Sequence, residues 1–303
     1  TGIRDFQTKV IYQTVQKVLD RSSEGLSYSG FENLKSDEAY LYISNHRDIV
    51  LDTSLLNCVL YESGLTMTAS AIGDNLVKKH FLLALGKLNR NFLVKRGLSP
   101  REMLKSSQKL SEYIGMLLHE EKRSVWMAQR EGRTKDGNDR TQQGVLKMLA
   151  MARKDDSLTE YLGKLKIVPV SISYEFDPTD VLKMPEILAK RMETIYIKSA
   201  NEDFKSILRG ALGNKGRIHL SAGEPVSIEK LKELESASGA VNEQLQNLTT
   251  YIDSRIHKNY KLWPANYIAA DLVNSSEMFS EHYTEKEKRQ FERRLTRRVD
   301  FKN

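Results

Sequence analysis

His46, Asp48 and Asp52 are the residues whose types and spacing most directly permit chemistry. They stand in the stretch Tyr40-Leu41-Tyr42-Ile43-Ser44-Asn45-His46-Arg47-Asp48-Ile49-Val50-Leu51-Asp52-Thr53. A histidine beside a carboxylate is the minimum for general-base catalysis, because the imidazole takes a proton near neutral pH and the carboxylate fixes its tautomer. The same residues also read as a helix-capping Asp48, a surface His46 and an unconnected Asp52. Taken alone they leave these two readings even.

The elements around them must position the histidine. Residues 40–43 are aromatic and β-branched, the composition of a short buried strand. Ser44 and Asn45 break it, being residues that favour turns and caps. Residues 49–60 (IVLDTSLLNCVL) are apolar enough for a mostly buried helix. His46 is therefore expected at a strand-to-helix junction.

Further strands are expected at 65–72, 91–94, 124–128, 167–174 and 217–222, with a short one inside the polar connector 22–38. Pro169 inside the 167–174 run predicts an edge position, a strand end or a bulge. Helices are expected at 76–88, 99–121, 145–153, over 178–212 with breaks, and from 227 onward. Ser99-Pro100 with Glu102 is a good helix opening, and Met103, Leu104, Leu110, Tyr113, Ile114, Leu117 and Leu118 mark that helix's inner face. Ile3, Phe6, Val10, Ile11, Thr14 and Val18 make residues 3–21 an amphipathic helix that packs on the main domain or lies on a membrane. Strands alternating with helices predict an α/β fold, a mixed, largely parallel sheet flanked by helices. That domain spans 25–225, with the N-terminal helix over 1–24 and an α-helical C-terminal extension over 226–303. The charged stretch 285–298 reads as a solvated helix.

Three strands end in polar, mostly basic clusters: Ser44-Asn45-His46-Arg47-Asp48, Lys95-Arg96-Gly97, and Gln129-Arg130-Glu131-Gly132-Arg133-Thr134-Lys135. Strand ends feed the ligand crevice of layered α/β folds. Each cluster alone reads as a solvated loop. Together they set a histidine and carboxylates beside guanidinium groups, a site for proton abstraction next to a phosphate. No Gly-rich phosphate loop, dinucleotide fingerprint or Gly-x-Ser-x-Gly elbow is present, and the six histidines lack metal-ligand spacing. Trp126 and Trp263 read as core or interface residues.

A net charge of +7 implies attraction to something anionic: nucleic acid, a phospholipid surface or phosphorylated small molecules. A nucleic-acid binder needs stacking aromatics or a recognition helix among its basic residues, and the densest basic stretch has only Phe291. A non-catalytic basic nucleic-acid-binding protein is the weaker alternative to an enzyme, and no nucleic-acid partner is expected. The single cysteine, Cys58, lies in an apolar helix and reads as a buried thiol of a reducing compartment, the cytoplasm. No apolar run approaches the ~18 residues of a membrane span. The chain begins at Thr1, which points to a fragment or processed form.

Four ordered blocks carry a resemblance. Asn45-His46-Arg47 with a following Asp, Phe92-Leu93-Val94-Lys95-Arg96, Glu131-Gly132-Arg133 and Ile167-Val168-Pro169-Val170 resemble, in order and spacing, the glycerolipid acyltransferases, a family that includes glycerol-3-phosphate and lysophosphatidate acyltransferases. The sequence also looks like bacterial homologues usually called 1-acylglycerol-3-phosphate acyltransferases. The resemblance covers about residues 40–175. It implies acyl transfer from a thioester co-substrate, acyl-CoA or acyl carrier protein, to the hydroxyl of glycerol 3-phosphate or 1-acylglycerol 3-phosphate. His46 would be the general base with an aspartate partner, Asp52 or Asp48. Arg47, Lys95, Arg96, Arg130, Glu131, Gly132 and Arg133 would bind substrate, and Pro169 would lie near the acyl chain. No metal, cofactor or acyl-enzyme is expected, and the protein is expected to sit peripherally on the inner face of an anionic membrane. Two departures stand out: five residues separate His46 from Asp52 where the family has four, and Arg133-Thr134 replaces Thr-Arg in the third block. They leave open another lipid hydroxyl, such as that of an acylated amino-acid lipid, as acceptor.

Overall fold

Side chains two apart along a strand share a face of the sheet, and the strand before His46 fills both faces. In this computed structural model, which describes residues 2–77, 80–199 and 201–299, Leu41 and Ile43 enter one hydrophobic cluster while Tyr40 and Tyr42 enter another. Val125 and Met127 repeat the first choice and Trp126 the second. A strand apolar on both faces is one buried between two helical layers.

In chain order the elements are α1 (Ile3–Phe6), joined by the π-helical stretch Gln7–Ile11 to α2 (Tyr12–Ser22), then β1 (Leu26–Ser29), β2 (Leu41–Ser44), α3 (Leu51–Glu62), β3 (Ala69–Gly73), α4 (His80–Leu88), β4 (Asn91–Val94), α5 (Pro100–His119) and β5 (Val125–Ala128). They continue with α6 (Gln143–Leu149), α7 (Leu158–Lys164), β6 (Ile167–Tyr174), α8 (Asp180–Arg191), α9 (Glu202–Leu212), β7 (Ile218–Ala222), α10 (Ile228–Ser236), α11 (Val241–Lys258), α12 (Pro264–Asn274) and α13 (Glu285–Val299). The described strands form one sheet in the order β1-β7-β6-β2-β5-β3-β4. Every neighbouring pair is parallel except β6 with β7. The fold is thus the mixed, largely parallel α/β sheet expected from the sequence. Strands β2 to β6 end at a common rim, and His46, Lys95-Arg96 and the Gln129 loop all leave from it.

Helices α5, α6, α7, α10 and α11 cover one face, with Ile114, Leu146, Leu162, Leu231 and Ile252 in its cluster. Helices α2 and α3 cover the other, with Val15, Leu19, Leu55 and Val59. Helix α11, in the stretch read as an extension, contributes Leu245, Leu248, Ile252 and Ile256 to the same cluster as β2 and β5. Cys58 is a free, buried thiol in the second cluster, and burial pushes its pKa up to about 12.

Pro169 departs from its predicted position, because β6 lies inside the sheet between β2 and β7. Ile172 N–H points toward the β2 side, where it meets Asn45. The two-residue period then turns the Pro169 nitrogen toward β7. The β7 ladder begins only at the Val170–Ala222 pair, and Pro169 needs only its carbonyl, which accepts from Gly223 N at 2.8 Å. A residue with no N–H is tolerated there for that reason.

Two apolar faces are buried over only part of their expected length. Along the N-terminal helix Ile11 and Val18 pack on the core as expected, beside the buried Val15 and Leu19, while Ile3 and Val10, before and within the π-helical stretch, are exposed. In α5 the buried side chains begin at Ser111, leaving Met103 and Leu104 exposed. The charged helix α13 is docked as well as solvated: Arg294 and Arg298 pair with Asp180, and Arg217 pairs with Glu287.

Candidate active site

Beyond Ser44 a side chain continues the pairing of β2. Asn45 Nδ2 donates to the Ile172 carbonyl at 2.9 Å, and Asn45 Oδ1 accepts from Ile172 N at 2.8 Å. An amide offers one donor and one acceptor much as a peptide unit does. Trp126 Nε1 donates to Ser44 Oγ at 2.9 Å, and the His46 ring lies edge-on to Trp126 with centroids 5.5 Å apart. The chain therefore leaves the sheet at a set position, with the His46 side chain 15% exposed.

Four residues, Arg47 to Val50, link His46 to the start of α3. Asp48 Oδ1 accepts from the N–H of Val50 at 3.0 Å and of Leu51 at 2.8 Å, capping the helix. Asp52, in the first turn, leans toward the helix N-terminus as helical side chains do. Its Oδ2 accepts from His46 Nδ1 at 2.8 Å, Arg47 N at 2.6 Å and Asp48 N at 3.0 Å. Its Oδ1 accepts from Tyr174 Oη at 2.9 Å. The link curls over the helix start, and that absorbs the extra residue between His46 and Asp52. Asp52 is the aspartate that meets His46, while Asp48 is occupied by backbone.

Asp52 is fully buried. Burial raises its pKa, but the His46 hydrogen bond, the His46 charge and the N–H groups of Asp48 and Arg47 outweigh it and hold the carboxyl below its ordinary value. Asp48 shifts the other way: burial and the Asp52 charge push it up against the Leu51 and Val50 donors. Tyr174 is pushed well above its ordinary value by burial and then by Asp52 and Asp48, so it remains a phenol able to donate. Asp52 is an ionised acceptor, which makes His46 Nδ1 the donor and leaves Nε2 to take a proton.

The remaining candidates divide. Arg47 Nη2 pairs with Asp139 Oδ2 at 2.5 Å, both groups being largely buried. Thr134 N donates to the His46 carbonyl at 3.3 Å, so the loop after β5 is tied to the junction. Arg133 donates to Thr179 Oγ1 at 3.2 Å, and its charge offsets a little of the rise at Asp48. Arg96 pairs with Glu131 across the exposed rim. Gly132 turns the chain there with a φ of +70°, a conformation glycine adopts without strain. Lys95 is exposed, and Arg130 is half-buried with a buried Nε lacking a hydrogen-bond partner. Pro169 is buried within β6 opposite Ile43, short of the rim where Tyr174 stands. Among the described residues, no group of three or more His, Cys, Asp or Glu side chains is placed to hold a metal ion.

Sequence reasoning missed the roof. The segment between β6 and β7 closes over the junction. Lys183 pairs with Asp177 and donates to the Arg47 carbonyl at 3.1 Å. Thr179 meets Arg133, and Gly210 of α9 lies against Asp48. A methyl at Gly210 would overlap Asp48 Oδ2 and stand 2.9 Å from its Cγ. Nothing local marks these residues. Tyr174 did carry a signal: strand alternation puts it with Val168, Val170 and Ile172 on the face that α3 covers.

Residues 25–173 match the model of the Acyltransferase family. That stretch is an acyltransferase domain. The matched stretch of this acyltransferase runs from β1 almost to the end of β6 and contains His46, Asp48, Asp52, Arg96, Arg133 and Pro169, whereas Tyr174 and the roof follow it. Among solved structures, the chain is similar to the 1-acyl-sn-glycerophosphate (LPA) acyltransferase PlsC from Thermotoga maritima, at 16% identity and a TM-score of 0.46, over 82% of this chain and 76% of that one. No curated protein matches the chain.

Proposed function

We propose that this acyltransferase moves a fatty acyl group from a thioester, on CoA or acyl carrier protein, to the hydroxyl of glycerol 3-phosphate or 1-acylglycerol 3-phosphate at an anionic membrane surface. The observation that carries this reading is the 2.8 Å contact between His46 Nδ1 and Asp52 at the carboxyl end of β2. His46 Nε2 takes the hydroxyl proton as the oxygen adds to the thioester carbonyl. The adduct collapses with cleavage of the C–S bond, and the departing thiolate takes the proton back from the imidazolium. The products are an ester and a free thiol, with no acyl-enzyme between. Asp52 orients the ring and stabilises its charged form, and a positioned base of this kind contributes about 10²–10⁴ in rate.

Arg133, Arg96, Lys95 and Arg130 are the groups for the acceptor phosphate, with Arg96 exchanging Glu131 for it. Gly132 lets the loop carry these side chains, and Pro169 borders the acyl chain. Arg47, paired with buried Asp139, holds the loop after β5 in place. Cytoplasmic, peripheral association fits the +7 charge, and no described helix is long and apolar enough to cross a membrane.

One observation favours a second acceptor. Arg96 is paired with Glu131 and Arg47 with Asp139, so two guanidinium groups are already engaged. Such a site also suits a lipid hydroxyl without a phosphate, as in an acylated amino-acid lipid. The test is thioester cleavage by the purified protein, from acyl-CoA and from acyl carrier protein, with a panel of acceptors. Cleavage that depends on glycerol 3-phosphate or lysophosphatidate supports the first reading. Cleavage only with a phosphate-free acceptor replaces it with the second, and cleavage with none rejects both.

A further inference from the structure

One edge of the sheet is both basic and apolar. Residues 80–109 hold seven Lys and Arg against the single acid Glu102, a charge of +6. This segment is α4, the strand β4 and the first half of α5. β4 is one of the two edge strands of the sheet. Helix α4 packs on it through Gly86 against Asn91, and α5 packs on it through Tyr113 against Phe92, with ring centroids 5.5 Å apart.

The outer side of the segment is apolar as well as basic. Phe81 is 62% exposed, Leu104 63% and Met103 56%, and Leu85, Leu88 and Leu93 are exposed beside them. Single exposed apolar residues are ordinary. Six on adjoining elements at one sheet edge, interleaved with Lys87, Lys95, Arg101 and Lys105, mark an interaction surface. The first half of α5 stands clear of the core, since its buried side chains begin at Ser111.

We infer that this edge, and not the N-terminal helix, is the face that docks on an anionic phospholipid bilayer. The inference rests on the reading above of a lipid-directed acyltransferase. Lysines and arginines near an anionic leaflet are attracted to its headgroups, and large apolar side chains between them enter the headgroup–acyl boundary. A second copy of this chain fits poorly, because it would set +6 against +6. A bilayer takes protruding apolar side chains without matching their shape, which a folded acidic partner cannot do. The face also carries Lys95 and Arg96, so docking would bring headgroup phosphates to the rim where the acyl acceptor is bound.

The test is sedimentation of the full chain with vesicles of phosphatidylcholine alone or mixed with phosphatidylglycerol. The wild type should bind the mixed vesicles, and less at physiological than at low salt. Phe81→Glu/Leu104→Glu should weaken that binding about tenfold or more, the scale of losing one or two surface anchors. The same variant should transfer acyl groups to soluble glycerol 3-phosphate at the wild-type rate, which also reports that it is folded. Ile3→Glu/Val10→Glu should bind vesicles like the wild type. Loss of binding in the Ile3/Val10 variant with retention in the Phe81/Leu104 variant overturns the assignment. So does an effect of Phe81→Glu/Leu104→Glu confined to turnover with acyl carrier protein. Acyl transfer in solution with no binding to mixed vesicles rejects the docking face and leaves the proposed reaction standing. Binding through this face without thioester cleavage on any acceptor rejects the reaction and leaves the docking face standing.

Discussion

Tyr174 Oη donates to Asp52 Oδ1 at 2.9 Å, on the carboxylate oxygen that His46 does not use. The last residue of β6 and the junction after β2 thus hold one buried group from two sides. Tyr174→Phe keeps the ring packing and removes the donor. Leaving a buried acceptor unpaired costs about 1–3 kcal/mol, so the protein should stay folded with a lowered Tm. The kcat should fall roughly tenfold with little change in either KM, the pattern of an interaction that matters most when the imidazole is charged. An unchanged kcat would make this contact purely structural.

Asp52 and Asp48 should separate cleanly. Asp52→Asn removes the charge that steadies His46 and should abolish measurable turnover. Asp48→Asn should turn over normally, since asparagine caps a helix about as well as aspartate. It should also change the pH dependence of stability. Burial and Asp52 raise the folded pKa of Asp48. Between the ordinary value and that raised value the folded state holds a proton that the unfolded chain has released. The native state then binds more protons, and stability falls as pH rises through that window. Asp48→Asn removes this loss, so its Tm relative to wild type should be higher at pH 7 than near pH 4. The opposite trend in unfolding curves would mean that Asp48 is stabilised as a carboxylate.

Gly210→Ala tests the roof. An alanine in a helix interior normally gains about 1 kcal/mol over glycine. Here the added methyl overlaps Asp48 Oδ2, and overpacking costs about 1–3 kcal/mol. Overlap outweighs propensity, so denaturant unfolding should show a net loss. Activity should fall as well, because Asp48 caps the helix that carries Asp52. A gain in stability with full activity would place α9 farther from the junction.

Arg133→Lys and Arg96→Lys keep the charge and lose the planar, two-pronged geometry that matches a phosphate. Each should raise the acceptor KM several-fold and leave the thioester KM unchanged. The Arg96–Glu131 pair is exposed, and such pairs contribute at most about 1 kcal/mol, so Arg96→Lys should barely move Tm. A change confined to the thioester KM would assign these residues to the donor.

Local chemistry was enough for much of the site. The aromatic and β-branched run at 40–43, the Ser44-Asn45 break and the apolar 49–60 stretch located His46 at a strand-to-helix junction, because strand and helix periodicities are carried by neighbouring residues. The Asp48 cap was legible for the same reason, and so was the clustering of basic residues at strand ends. The Asp52 contact was legible only in part: helix phase says which way a side chain faces once the helix start is known, and the four-residue link Arg47 to Val50 set that start.

What the sequence determined by itself was the order of elements, the mixed and largely parallel sheet, and the residues available for chemistry at its rim. Only the tertiary structure decided their neighbours. Pro169 sits in an interior strand because β7 departs just where its missing N–H would point. Val15 and Leu19 are buried beside Ile11 and Val18, whereas Ile3 and Val10 are left exposed. Arg47 met Asp139, Tyr174 met Asp52, and Gly210 met Asp48. These contacts join residues far apart in the chain. A single sequence records periodicity over a few residues, whereas packing across a sheet depends on which strands become neighbours, and that is settled by burial of the whole core at once.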